Sequence, residues 1–153
     1  TENVLKVNFL YPGIAYEHAL GKKTTLYSSL NFIPAYSREN KQLKNWTIAP
    51  NIQEELRYYY NIDKQARKNK NVGKNTGCYF SLLAMYGFQP VGKPYSYTKI
   101  DDLTIAPTWG VQYTHKSGFN MGVGLGFGYN FSKYTSVDGV RFVSNLTIGW
   151  ILR

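Results

Sequence analysis

The chain has a single cysteine, Cys78. A lone thiol excludes a disulfide framework and a cysteine-built metal centre, and reads as a packed or outward-facing side chain. No run of 18 apolar residues occurs, which excludes a transmembrane helix. Acidic residues are scarce, 9 against 18 Lys and Arg, for a net charge of +9. No metal-ligand spacing, phosphate-cradling loop or nucleic-acid motif accompanies that charge. No metal, cofactor or nucleic acid is therefore expected. At 153 residues the chain makes one domain, residues 1–153. It opens at Thr1 without a basic-then-apolar leader, so an exported protein has its signal peptide already removed.

What is abundant is alternation. From Phe119 to Phe131 the odd positions are Phe119, Met121, Val123, Leu125, Phe127, Tyr129 and Phe131, and the even ones are glycine or asparagine. Strand side chains point to opposite faces with period two, so one face is wholly apolar and the other small or polar. A soluble sheet shows water charged or long polar residues, not a row of glycines. A membrane barrel turns its apolar face to lipid and its polar face to a crowded interior. Such a strand, at about 3.3 Å per residue and about 45° of tilt, spans a bilayer core. A mean hydropathy of −0.37 does not oppose this, because only alternate strand residues meet lipid and loops dilute the average. Aromatics at 16%, 14 of them Tyr, fit strands and interfacial girdles.

The same period predicts further strands near 24–36, 46–60, 77–88, 103–115 and 140–152. Segment 4–20 carries a Pro12-Gly13 turn signal and splits into 4–11 and 14–20. The count becomes eight, the even number that single-chain bacterial barrels use, with both termini on the periplasmic side. The expected fold is all-β: an eight-stranded antiparallel up-and-down transmembrane β-barrel. Thr47-Ile48-Ala49-Pro50 and Thr104-Ile105-Ala106-Pro107 open two strands identically, and each proline is expected at a bulge or the rim. Gly21-Lys22-Lys23 and Lys116-Ser117 read as tight periplasmic turns. Residues 37–45, 89–101 and 132–139 read as longer outer connections. Connection 61–76 reads as mobile, and its cations Lys64, Arg67, Lys68, Lys70 and Lys74 as contacts to anionic headgroups.

Eight strands leave a lumen only wide enough for side chains. Lys6, Glu17, Glu55 and Arg57 all fall on the inward register, where charges must pair and hydrogen-bond. They are expected to form an interior ion-pair network that plugs the lumen. The glycines at 122–128 would give Tyr59 and Arg57 room. Glu54 is the anomaly, a carboxylate on the outward register in mid-strand. A bulge, protonation or a neighbouring subunit would each shelter it. The reading favours the neighbour, with Glu54 and Pro50 marking a protein contact on the outer wall.

With Leu5-Lys6-Val7-Asn8 at its opening and Glu55-Leu56-Arg57-Tyr58-Tyr59 in a central strand, the chain resembles small eight-stranded outer-membrane barrels of Gram-negative bacteria. It is similar to OmpX, OmpW and the OmpA transmembrane domain, and closer to uncharacterised outer-membrane β-barrel domains. The resemblance implies location in the cell outer membrane, contact with its lipids and lipopolysaccharide, and partnership with other outer-membrane proteins. It implies a structural or accessory role in a complex, in envelope integrity or in surface interaction. Members usually close on an aromatic residue, whereas this sequence ends Trp150-Ile151-Leu152-Arg153. Two alternatives stand beside it. A lipid A-modifying enzyme would use His115 and Ser117, but no acidic residue follows in 118–137 to orient a base. The acidic pair Asp101-Asp102 resembles that of outer-membrane proteases, which have more strands. A soluble lipocalin-like carrier of a small apolar ligand would turn the apolar face inward. No catalytic residue is expected.

Overall fold

The computed structural model describes residues 1–39, 42–68, 73–91, 102–132 and 139–152, with backbone alone at 35–39 and 42–47. Eight strands form one antiparallel sheet: β1 (Val4–Asn8), β2 (Gly13–Ala19), β3 (Thr24–Glu39), β4 (Gln42–Tyr58), β5 (Gly77–Gly87), β6 (Asp102–Thr114), β7 (Phe119–Ser132) and β8 (Gly139–Ile151). Each strand pairs with the next, and β1 pairs with β8 to close the barrel. Val4 and Ile151 bring both ends of the chain to one end of the barrel, here the lower end.

Alternation sorts the wall. In β6 every residue from Thr104 to Thr114 is buried at even positions and exposed at odd ones. Outward lie Phe80, Leu82, Trp109, Val111, Val123, Leu125, Phe127 and Phe142, all more than a third exposed. Inward lie Lys6, Glu17, Asn51, Gln53, Glu55, Arg57, Gln112, Asn120 and Asn130, all buried. The interior is graded along its axis. Charged and hydroxyl groups fill the lower and middle part, and Leu83, Ala106 and Val143, packed by Met85, form a small apolar cluster that shares the upper part with Asn31, Asn51 and Gln53.

Several boundaries differ from expectation. The first turn is Phe9–Pro12, and Gly13 already belongs to β2, facing Asn8 and Asn31. A Cβ on Gly13 would run into the Leu30 carbonyl, so glycine serves strand approach here rather than a turn. The expected outer connection 37–45 is mostly strand, because nothing in it breaks a ladder: β3 runs to Glu39 and β4 starts at Gln42. Among the described residues of that hairpin the one register shift lies at Ser37/Arg38, so Pro50 marks no bulge. Pro50 sits where the β5 ladder has ended, its carbonyl accepting from Phe88 N–H at 2.9 Å. Pro107 marks neither bulge nor rim. It interrupts the β6–β7 ladder between Ile105 and Thr108 with the register unchanged on both sides.

Connection 61–76 is structured in its described parts. It contains α1 (Ile62–Arg67) and a 3-10 turn (Gly73–Asn75) that tucks under the lower mouth. Asn75 is 1% exposed; its side chain accepts from Glu2 N–H at 2.7 Å and donates to Glu2 O at 2.9 Å. Thr76 Oγ1 accepts from Thr114 N–H at 3.0 Å, fixing the turn to β6. Lys74 and Asn75 adopt positive φ, 51° and 58°, a region Asn tolerates through its short polar side chain.

The glycine face of the wall makes room for a different residue than expected. The ring of Tyr79, rather than Tyr59 or Arg57, lies over it: a Cβ on Gly110 would stand 2.5 Å from Tyr79 Cζ, and one on Gly124 3.7 Å from its hydroxyl. Overpacking a filled core costs about 1–3 kcal/mol. Gly110→Ala is therefore expected to destabilise the barrel by about that amount and Gly124→Ala to be neutral, as read by urea unfolding of the refolded protein. Equal effects of the two would contradict this packing.

Candidate functional site

Four charged side chains from three strands meet in the middle of the lumen. β1 supplies Lys6, β2 Glu17, and β4 both Glu55 and Arg57, two apart and therefore on one face. Lys6 Nζ lies 2.6 Å from Glu17 Oε2, and Arg57 Nη2 lies 2.6 Å from Glu55 Oε2. Arg57 Nη1 also comes within 3.7 Å of Glu17 Oε2, joining the two pairs. All four are 2% exposed or less. The charges cancel, and the remaining valences are filled by neutral groups. Glu17 Oε1 accepts from the Thr25 hydroxyl at 2.8 Å and the Tyr59 hydroxyl at 2.7 Å. Glu55 Oε1 accepts from the Ser81 hydroxyl at 2.6 Å.

Three further side chains make this a single unit, and reading strands one at a time did not single them out. Gln112 on β6 crosses the lumen. Its carbonyl oxygen accepts from Lys6 at 2.8 Å and from Arg57 at 3.0 Å, and its amide donates to Glu17 at 3.2 Å. Tyr27 and Tyr79 both lie against the Arg57 guanidinium, their ring centroids 3.9 and 4.6 Å from Cζ. Weak hydration and a planar face suit guanidinium to such a slot better than an ammonium. The signal for Gln112 was its inward parity among threonines and glycine; its partners lie far away in sequence and could not be read from spacing.

Chemically the cluster neutralises itself. No group in it lacks a partner, and Asn75 caps it from below, where Gln112 Nε2 donates to the Asn75 carbonyl at 3.1 Å. Among the described residues no set of His, Cys, Asp and Glu is placed to hold a metal. His115 and Ser117 meet at 2.8 Å in the exposed β6–β7 turn, and His115 Nδ1 also accepts Ser117 N–H at 3.2 Å, a turn-closing arrangement. No carboxylate among the described residues bonds the ring. Asp102 opens β6, and Asp101 lies outside the described residues.

Glu54 points outward as its register predicts, and β4 carries no bulge near it. Its neighbour in the wall is Ser28, directly opposite on β3, whose hydroxyl donates to Glu54 Oε2 at 2.6 Å. The carboxylate edges a shallow depression of about 260 Å³ walled by Leu5, Ile14, Tyr16, Leu30 and Ile52. Pro50 lies two outward positions further along β4. Around the lower mouth Lys64, Arg67 and Lys68 are exposed and Lys74 is half-buried; Lys70 lies outside the described residues. Lys23 Nζ pairs with Asp63 Oδ2 at 2.6 Å, tying α1 to the β2–β3 turn. That hydrogen bond holds the Asp63 carboxyl below its usual range.

A family model described as "Protein of unknown function (DUF3575)" matches residues 1–147. The chain belongs to this family. No curated protein and no solved structure gives a significant match. The matched region of this DUF3575 chain includes Lys6, Glu17, Glu55, Arg57, Gln112 and both stacking tyrosines, so the whole interior cluster lies inside the family domain.

Removing one partner of a buried ion pair leaves the other charge uncompensated, at about 3–5 kcal/mol, whereas replacing both by apolar groups is often near neutral. Glu17→Gln is expected to destabilise the barrel by about that amount, and Lys6→Met with Glu17→Leu by clearly less. Urea titration of the refolded protein checks this. A double variant as unstable as the single would show that the cluster's hydrogen bonds, rather than its charge balance, hold the lumen together.

Proposed function

We propose that the protein is an integral outer-membrane β-barrel without catalytic chemistry, acting as a structural or accessory subunit of an outer-membrane assembly or in envelope integrity and surface interaction. The observation that carries this reading is the sidedness of the wall. Its apolar side chains form the exposed outer belt, and its charged and amide side chains fill the interior. In water such a belt would be an exposed apolar patch far larger than a few hundred Å², which soluble monomers do not carry. In a bilayer it is the lipid-facing surface. A lipocalin-like carrier needs the reverse orientation, and at His115–Ser117 no carboxylate among the described residues bonds the ring to orient a base.

The exposed cations near the lower mouth suit anionic headgroups. Glu54 supports the accessory role. A carboxylate in mid-belt is unfavourable against hydrocarbon, and one serine hydroxyl meets only part of its hydrogen-bonding capacity. A donor from another outer-membrane protein seated in the adjoining depression would meet the rest.

The protein is expected to require detergent and to migrate differently on a denaturing gel before and after boiling. In planar bilayers it should show no stable nanosiemens conductance, because the cluster around Arg57 and the turn at Asn75 fill the lumen. Monomeric solubility in detergent-free buffer would overturn the membrane reading. A stable large conductance would overturn the plugged interior.

A further inference from the structure

We infer that, above the β1–β2 hairpin, an extended strand of a partner polypeptide pairs with the open edge of β8 and fills that side of the gap in the wall. The inference rests on the membrane reading above, since hydrocarbon is what makes an open edge untenable.

The wall is uneven. β1 and β2 have 5 and 7 residues, whereas the flanking β8 and β3 have 13 and 16. β1 pairs with β8 only at Gly149–Ile151, and β2 with β3 only from Gly13–Asn31 down to Ala19–Thr25. Among the described residues, β8 above the hairpin is paired to β7 alone and β3 to β4 alone. No pairing joins β8 to β3 among the described residues. At hairpin height these two strands stand three strand spacings apart, about 14 Å.

The orientation of the backbone identifies the open groups. In an antiparallel strand the N–H and C=O of one residue point to the same side, and successive residues alternate. Ile148 O accepts Phe9 N–H and Leu152 N–H donates to Leu5 O, both at 2.8 Å, while Ile151 N–H turns the other way to Gly118 O. By this alternation Val140, Phe142, Ser144 and Leu146 direct their N–H and C=O into the notch. On β3, Phe32 N–H reaches Pro12 O at 2.8 Å, so Pro34 is the next residue to face the notch. The two edges differ. β3 carries a proline, which has no N–H to offer, and then the bulge at Ser37/Arg38. Both are devices that blunt a sheet edge. The β8 edge from Val140 to Leu146 has neither. It is the receptive one.

The notch lies within the apolar belt. Phe32, Val140, Phe142 and Leu146 beside it are exposed. Its floor, the tip Phe9-Leu10-Tyr11-Pro12, is exposed and apolar, whereas the lower turns carry Lys22, Lys23 and Lys116. Lipid-exposed sheet edges do not occur in hydrocarbon, because nothing there bonds an orphan amide. An acyl chain fills space without supplying those bonds; a strand supplies them. The occupant's chemistry follows from the neighbours: apolar side chains outward beside Phe142 and Leu146, and an inward residue entering the cavity of about 170 Å³ that Ile33, Met85 and Val143 line together with Asn31, Gln53 and Asn145. That volume admits one side chain of about the size of leucine, and the amides in its lining suit one with a polar end.

Amide exchange and photocrosslinking test this together. In the detergent-purified monomer, the amides of Val140, Phe142, Ser144 and Leu146 should exchange at least about a hundredfold faster than those of Arg141, Val143 and Asn145, which face β7. In native outer-membrane vesicles, benzoylphenylalanine in place of Phe142 should crosslink to polypeptide, and in place of Phe80 on β5 only to lipid. Ser144→Pro removes a notch-facing donor and no bond to β7. It should cut the Phe142 crosslink at least about tenfold and leave the heat-modifiable band unchanged. Protection of the four amides in the monomer overturns the inference, as do a lipid-only crosslink at Phe142 and a crosslink indifferent to Ser144→Pro. A product of twice the chain's mass replaces the partner by a second copy and overturns it too. The exchange comparison needs no variant, so misfolding of S144P leaves a decisive result in hand. Solubility without detergent defeats the membrane reading and this inference with it; every other failure leaves that reading standing.

Discussion

Every part of this molecule answers to one constraint: an eight-stranded ring encloses a space that side chains must fill, and here they fill it with charge. Arg57 is the centre of that solution. Its guanidinium is held against Tyr27 and Tyr79, bonded to Glu55 and Gln112, and linked through Glu17 to Lys6. Buried charges are tolerable only when paired and fully hydrogen-bonded, and this cluster draws those bonds from β1 to β6. The strands are thereby set in mutual register from the inside, while the outer face is left free to be apolar.

The axial grading of the lumen extends the same logic. Below the cluster, Asn75 and Thr76 close the lower mouth with hydrogen bonds to backbone groups of Glu2 and Thr114. Above it, Leu83, Ala106 and Val143 share the lumen with Asn31, Asn51 and Gln53. Higher still, Asn130 Nδ2 is buried without a partner, although its Oδ1 accepts from Thr104 at 2.8 Å. The interior is closed from below, and the buried side-chain atom without a partner among the described residues, Asn130 Nδ2, lies toward the upper end.

Strand identity and side-chain parity were legible in the sequence because both are local. Two residues per repeat suffice to place Glu17, Glu55 and Arg57 inside and Glu54 outside, and the structure agrees at each. What could not be read is what depends on residues distant in sequence. Gln112 and Lys6 are 106 positions apart, and no spacing announces their hydrogen bond. The fold of Gly73–Asn75 under the mouth depends on Glu2 and Thr114, so the segment resembled an ordinary basic connection. Ser28 opposite Glu54 follows from a cross-strand register that only the hairpin fixes. The prolines at 50 and 107 were visible, but their meaning lay in the pairing of their neighbours.

As the proposed outer-membrane barrel, the protein turns its apolar face to lipid, and that contact can be measured. Trp109 projects from β6 into the outer belt at 43% exposure, its indole nitrogen 3.1 Å from the Tyr60 hydroxyl. A variant retaining only this tryptophan, Trp46→Phe with Trp150→Phe, reconstituted into vesicles of brominated phospholipid, reports the contact directly. Trp109 fluorescence is expected to be quenched strongly by bromine on the acyl chains and little by aqueous iodide. Quenching by iodide with none by brominated chains would contradict it.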